Sequence, residues 1–215
     1  MFLTDSEVDR IIDRRVGRAP IDEVLKDMKR FFEDEYEIEI LDYVCSKDRI
    51  KPLNMYRVRF IVWNMGDAYK YRWDILGSEM EKLVIKTFAE SCRKHSLNPD
   101  FYDSGDFFMV LTDFQSDVFK RLFEKNREKI EAVFREYPQI KMERQGDTGW
   151  YIFFETEADI TKYMENGLFE EIRARYKEAA GKVEGFEDLE CDRLWPYSME
   201  EFNGKYHGSW RAFWQ

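Results

Sequence analysis

Arg57 and Arg59 stand two residues apart in the run 55–63. An extended chain turns alternate residues to one face, so both guanidinium forks would point the same way, an arrangement suited to a phosphate or a carboxylate. They belong to a wider cationic window. Residues 46–73 carry Lys47, Arg49, Lys51, Arg57, Arg59, Lys70 and Arg72 against Asp48 and Asp67, a balance of +5 inside a chain of net charge −10. The window also holds Tyr56, Phe60, Trp63, Tyr69, Tyr71 and Trp73, rings that can stack on a planar ligand or anchor a protein partner. The candidate ligand- or partner-binding set is therefore Arg57, Arg59, Trp63, Tyr69, Tyr71, Arg72 and Trp73. An ordinary structural arrangement competes with it. If the alternating stretch 36–40 pairs with 55–63, Glu37 and Glu39 oppose the arginines as cross-strand ion pairs worth about 0.2–1 kcal/mol each.

Catalytic chemistry finds little support elsewhere. The two histidines, His95 and His207, lie more than a hundred residues apart, and no HExxH, EF-hand loop or His/Cys cluster occurs. Cys45, Cys92 and Cys191 are odd in number, widely spaced and without a CxxC pair, which signals neither a disulfide framework nor a thiolate zinc site. Cys92 falls on an apolar helical stripe and reads as a core thiol. Cys45 follows a predicted strand and could be exposed; Cys191, beside Asp192 and Arg193, has a polar setting. No GxSxG elbow appears, and the two-glycine stretch 145–149 lies between strands with no helix or lysine after it, so it reads as a hairpin turn rather than a phosphate loop. Asp103, Asp106 and Asp147 read as turn formers. No catalytic residue, metal or cofactor is assigned.

The whole-chain totals narrow the class. With 215 residues, 44% hydrophobic and 17% aromatic, the chain has ample apolar area for a core and is not a disordered composition. Net charge of −10 favours solubility and repels nucleic acid and anionic membrane. The opening MFLTDSEVDRIIDRR becomes charged at once, and the longest wholly apolar run is 107–111. Neither an export signal nor a spanning helix is expected, and reduced thiols fit a cytoplasmic setting.

The elements that would position these residues follow from periodicity. Thr4 with Glu7, and Ser78 with Glu81, read as capping boxes; Thr156 caps a last helical stretch to Ala180, broken near Gly167. A second helix opens near Pro20, carrying Val24, Leu25, Met28 and Phe32. Met80, Leu83, Val84, Phe88 and Cys92 make the clearest apolar stripe, and Phe119, Phe123, Ile130 and Phe134 line a long helix after it. Alternation predicts strands at 36–40, 55–63, 69–73, 107–111, 140–142 and 150–154, with a hairpin across 103–106. The expected fold is α+β: an antiparallel sheet built from helix–hairpin units, with helices on one face and a ferredoxin-like order from 55 to 144 as one reading. Residues 1–181 form the body, with two sub-lobes meeting near 66–78 as an option, and the aromatic-rich segment 182–215 packs back on it.

The expected function is a non-enzymatic protein-interaction or regulatory module of inhibitor, immunity or adaptor type. The alternative is a small-molecule enzyme or sensor that holds an anionic ligand in an aromatic and arginine pocket. A protein partner is expected; a small anionic ligand and self-association through 182–215 stand as alternatives; nucleic acid and membrane are not expected partners.

Overall fold

A computed structural model describes residues 3–50, 53–63, 66, 78–97, 102, 107–146, 149–187, 189 and 191–214. These contain eight helices and two small mixed sheets of three strands each, an α+β fold. The chain divides into two compact units, Met1–Asp117 and Val118–Gln215. The division falls downstream of the 66–78 stretch considered from sequence, and the aromatic segment 182–215 belongs to the second unit.

In the first unit, α1 (Asp5–Arg15) opens with the expected capping box, in which Thr4 and Glu7 satisfy each other's backbone N–H groups. Helix α2 (Glu23–Tyr36) follows, capped by Asp22, which accepts from Leu25 N at 2.8 Å. Strands β1 (Ile40–Ile50) and β2 (Leu53–Val62) form an antiparallel hairpin. Helix α3 (Glu79–Lys94) then crosses over to β3 (Phe107–Asp113), which lies parallel to β2.

One face of this sheet carries Val58, Phe60 and Val62 from β2 and Phe107, Met109 and Leu111 from β3. They pack on Val24, Leu25, Met28 and Phe32 of α2 and Val84, Phe88 and Cys92 of α3. Phe60 sits with its ring centroid 5.1 Å from Phe32 and 5.7 Å from Phe88. Each such side chain contributes about 1.5–3 kcal/mol by leaving water. Asp27 ties the end of α3 to α2. Its carboxylate accepts from Ser91 Oγ at 2.9 Å and Lys94 Nζ at 3.0 Å, and lies 2.9 Å from His95 Nε2. Burial alone would raise the Asp27 pKa, but these hydrogen bonds outweigh it and hold it at about 2. The stabilisation is therefore present above the ordinary value of 3.8 and fades as pH falls from there through about 2. Asp27→Asn is expected to cost about 1–2 kcal/mol at neutral pH, after allowance for the exposed Lys94. Urea denaturation of both proteins should show the gap closing below about pH 4.

The second unit repeats the order. Helix α4 (Phe114–Arg135) begins directly after β3. Strands β4 (Met142–Gln145) and β5 (Trp150–Phe154) form a hairpin, helices α5 (Glu157–Glu165) and α6 (Leu168–Ala180) cross over, and β6 (Leu194–Ser198) lies parallel to β5. Helix α7 (Met199–Gly204) starts on the next residue, as α4 does after β3, and α8 (Trp210–Phe213) follows. Asp113 and Ser198 serve the same role at the two joins: Asp113 accepts from Ser116 N at 3.3 Å and Ser198 from Glu201 N at 2.9 Å. Trp150 packs on Phe134 at 5.5 Å, and Phe134 on Tyr176 at 6.0 Å.

Several expectations are corrected. Residues 36–40 are not a strand: Tyr36 ends α2, Glu37 adopts the left-handed conformation (φ 53°) and the strand begins at Ile40. The alternation of Tyr36, Ile38 and Ile40 is that of a helix end and a connection, because the Tyr36 ring is held back against Phe31 and Phe32 within its own helix. The sheets are mixed rather than wholly antiparallel, since a helical crossover returns each third strand in the same direction as its neighbour. Helices cover both faces of the first sheet, because α1 sits opposite α2 and α3. The 55–144 order does not close on one sheet, because β4 belongs to the second. Leu83 is exposed, off the buried stripe. The strand expected at 69–73 and the turn at 103–106 lie outside the described residues.

Candidate functional site

Of the seven residues singled out from sequence, Tyr69, Tyr71, Arg72 and Trp73 lie outside the described residues. Arg57, Arg59 and Trp63 are placed along β2 and just after it, on the side away from Phe60. That side is covered by α1. Arg59 is only 7% exposed and is salt-bridged to the buried Glu7. The carboxylate does two things at once: Oε2 accepts from Thr4 N at 2.8 Å, and Oε1 accepts from Arg59. Burial pushes the Glu7 pKa up, and the Thr4 and Arg59 contacts more than reverse it. Arg57 donates from Nε to Ser46 Oγ at 3.4 Å, and the Trp63 ring lies 6.1 Å from Phe114. For Arg59 an internal acid exists, but it is Glu7 rather than Glu37 or Glu39. In the observed register Arg59 pairs with Val44 and Arg57 with Ser46, while Glu39 bonds Arg15 at 3.3 Å.

The other chemistry-bearing groups are also placed. Cys92 is buried, and burial pushes its thiol up to about 12; Cys45 is half-buried within β1 and is likewise pushed up to about 12. Cys191 is buried, with its thiol pushed up to about 11 by burial and 3.7 Å from Tyr176 Oη. Thiols this far above neutrality are poor nucleophiles. Among the described residues no three His, Cys, Asp or Glu side chains converge to hold a metal ion, and no helix is long and apolar enough to cross a membrane. A cleft of about 450 Å³ opens at the end of α2, lined by Lys29, Glu33, Glu37, Ile38, Glu39 and Ile40. Burial lowers the Lys29 pKa there, against the pull of Glu39. Five carboxylates within residues 33–39 were the sequence signal for this cleft.

The most distinctive surface belongs to the second unit. Register places Arg144 opposite Tyr151 and Met142 opposite Phe153 across β4 and β5, then Trp195 beside Tyr151 and Tyr197 beside Phe153 across β6. All six share one face. Helices α7 and α8 fold over it and bring Phe202, Trp210, Phe213 and Trp214. Phe153, fully buried, is the hub, with ring centroids of Tyr197, Phe202, Trp210 and Phe213 at 5.4–5.8 Å. Tyr151 meets Trp214 at 4.7 Å and Trp195 at 5.0 Å. Around this hub Tyr151, Trp195, Tyr197, Trp210 and Phe213 remain partly accessible, and Trp214 is 44% exposed. Arg144 is exposed and lies 5.1 Å over the Trp210 ring.

The hairpin turn expected at 145–149 contributes to this surface through its two glycines. A methyl at Gly146 would lie 2.7 Å from the Tyr151 ring and 3.3 Å from Trp214. At Gly149 it would collide with the Trp195 ring and the Arg193 backbone carbonyl. Backbone cannot give way as a side-chain tip can, so Gly149→Ala is expected to destabilise the second unit by about 1–3 kcal/mol. Thermal unfolding should show it, together with a change in tryptophan emission as Trp195 is displaced.

No protein family, curated protein or solved structure matches the chain.

Proposed function

We propose that the protein is a non-enzymatic interaction module, of regulatory, inhibitor or adaptor type, which engages a protein partner through the aromatic face of its second unit. The observation that carries this reading is the partly open cluster of Tyr151, Trp195, Tyr197, Trp210 and Trp214 with Arg144. Trp, Tyr and Arg dominate binding hot spots, because large rigid rings bury much area at small entropic cost. Contiguous exposed aromatic surface is costly to leave wet unless something covers it. The location differs from the cationic window 46–73, where Arg59 is already engaged by Glu7.

The small-molecule alternative has weaker support. The cleft at the end of α2 has three glutamates and one lysine on its walls, which is the wrong sign for an anionic ligand.

Trp214→Ser provides the test, because at 44% exposure it is the most open ring of the cluster and its loss is expected to cost less stability than that of a buried ring, with circular dichroism to check the fold. Affinity purification from the source cells is expected to recover one protein in stoichiometric amount with the unaltered chain and to lose it with the variant. Recovery that is indifferent to Trp214, or no enriched protein at all, would reject the proposal.

A further inference from the structure

The charge around the aromatic face indicates what kind of partner it takes. Residues 202–214 contain no Asp or Glu but include Lys205 and Arg211, in a chain whose net charge is −10. Arg144, over the Trp210 ring, and Arg211, next to Trp210 in sequence, are both exposed and form no ion pair among the described residues. Among the described residues, the acids nearest in sequence are already engaged or turned away. Glu201 holds Lys205 at 3.2 Å, Glu200 accepts from Glu157 N at 3.3 Å, and Glu143 pairs with Ile152 on the opposite face of the sheet. Several other arginines are satisfied in place by an acid: Arg10 and Arg14 by Asp42, Arg59 by Glu7, Arg173 by Asp192, Arg175 by Glu136. Arg144, without such an acid, lies beside open tryptophans.

We infer that the aromatic face binds an acidic segment of a partner protein, whose carboxylates pair with Arg144 and Arg211 while its apolar side chains lie on Trp195, Trp210 and Trp214. The inference rests on the interaction reading above and adds the partner's chemistry to it. A guanidinium fork on an apolar floor strengthens a carboxylate contact, because the rings exclude water from around it. Complementary charge also steers encounter between two acidic proteins that would otherwise repel. A nucleic-acid strand fits less well. One face of Trp210 lies under Arg144, Trp214 stacks on Trp210 at 5.8 Å, and Tyr151 and Trp214 meet edge to face, which leaves little free ring face for successive bases.

Selection of a random peptide library displayed on phage against the full chain tests this directly. The expected result is enrichment of peptides combining Asp or Glu with Leu, Phe or Trp. Their binding should weaken about tenfold at low salt in the double variant Arg144→Gln, Arg211→Gln, with the two proteins converging at high salt. Trp214→Ser should weaken the same peptides at every salt concentration. Enrichment of neutral or basic peptides, through the same tryptophans, would overturn the acidic assignment and leave the interaction reading standing. No enrichment at all would reject both. Binding of a single-stranded oligothymidylate as tight as that of the best acidic peptide would overturn the inference in favour of nucleic acid.

Discussion

Phe153→Ala is expected to lower the stability of the second unit by about 3–5 kcal/mol, the largest single effect within that sheet. The side chain is fully buried, and its ring is packed by Tyr197, Phe202, Trp210 and Phe213. Removing it takes away transfer free energy and leaves a cavity that these stiff rings cannot collapse to fill. Because Phe153 also anchors α7 and α8 to the sheet, the variant should lose near-ultraviolet dichroism from the tryptophans before it loses helix signal. Equilibrium denaturation followed by both signals checks this. A loss below 1 kcal/mol would mean that the α7 and α8 rings are not packed as described. The contrast with Trp214→Ser is informative, since the two residues belong to one cluster but only Phe153 lacks access to water.

Asp42→Ala is expected to destabilise the first unit by about 3 kcal/mol for a different reason. Asp42 is fully buried on β1 and holds two cations of α1, Arg10 at 2.6 Å and Arg14 through Nη1. It also accepts from Tyr43 N at 2.7 Å. Without it the Arg14 guanidinium, 15% exposed, keeps only Asp22 at 3.1 Å, and its buried Nε has no partner even in the intact protein. A cation stranded in a low-dielectric layer costs more than the ion pair contributed. The double change Asp42→Leu, Arg14→Leu should therefore be milder than Asp42→Ala alone, because it removes the charge with its partner. Urea titration of both variants decides the matter, and equal losses would show that Arg14 is not desolvated.

Local signals in the sequence were reliable where the structure is local. The Thr4 capping box, the Thr156 cap, the α3 stripe through Phe88 and Cys92, and the alternation of Val58, Phe60 and Val62 all depend on neighbours within four residues. What the sequence hid was set by long-range pairing. Arg59 meets an acid 52 positions away on α1, and no periodicity links Glu7 to β2. The parallel placement of β3 depends on the α3 crossover rather than on any property of residues 107–113. The candidate surface was half legible: an aromatic tail folding back was expected, but the meeting of Trp210 with Arg144, 66 positions apart in sequence, was not. The missing clue was an absence, the lack of any acid in 202–214.

The two faces of the first sheet are fastened differently: one by hydrocarbon, the other, where Val8 and Ile11 of α1 are also buried, by the carboxylates of Glu7 and Asp42 as well. Glu7 terminates a helix and quenches a guanidinium with the same three-atom group, so the two functions cannot be edited separately. Anyone shortening this protein for expression should begin no later than Leu3; a start at Val8 would remove the cap of α1 and uncover Arg59 in one cut, which makes those few leading residues part of the foundation rather than trim.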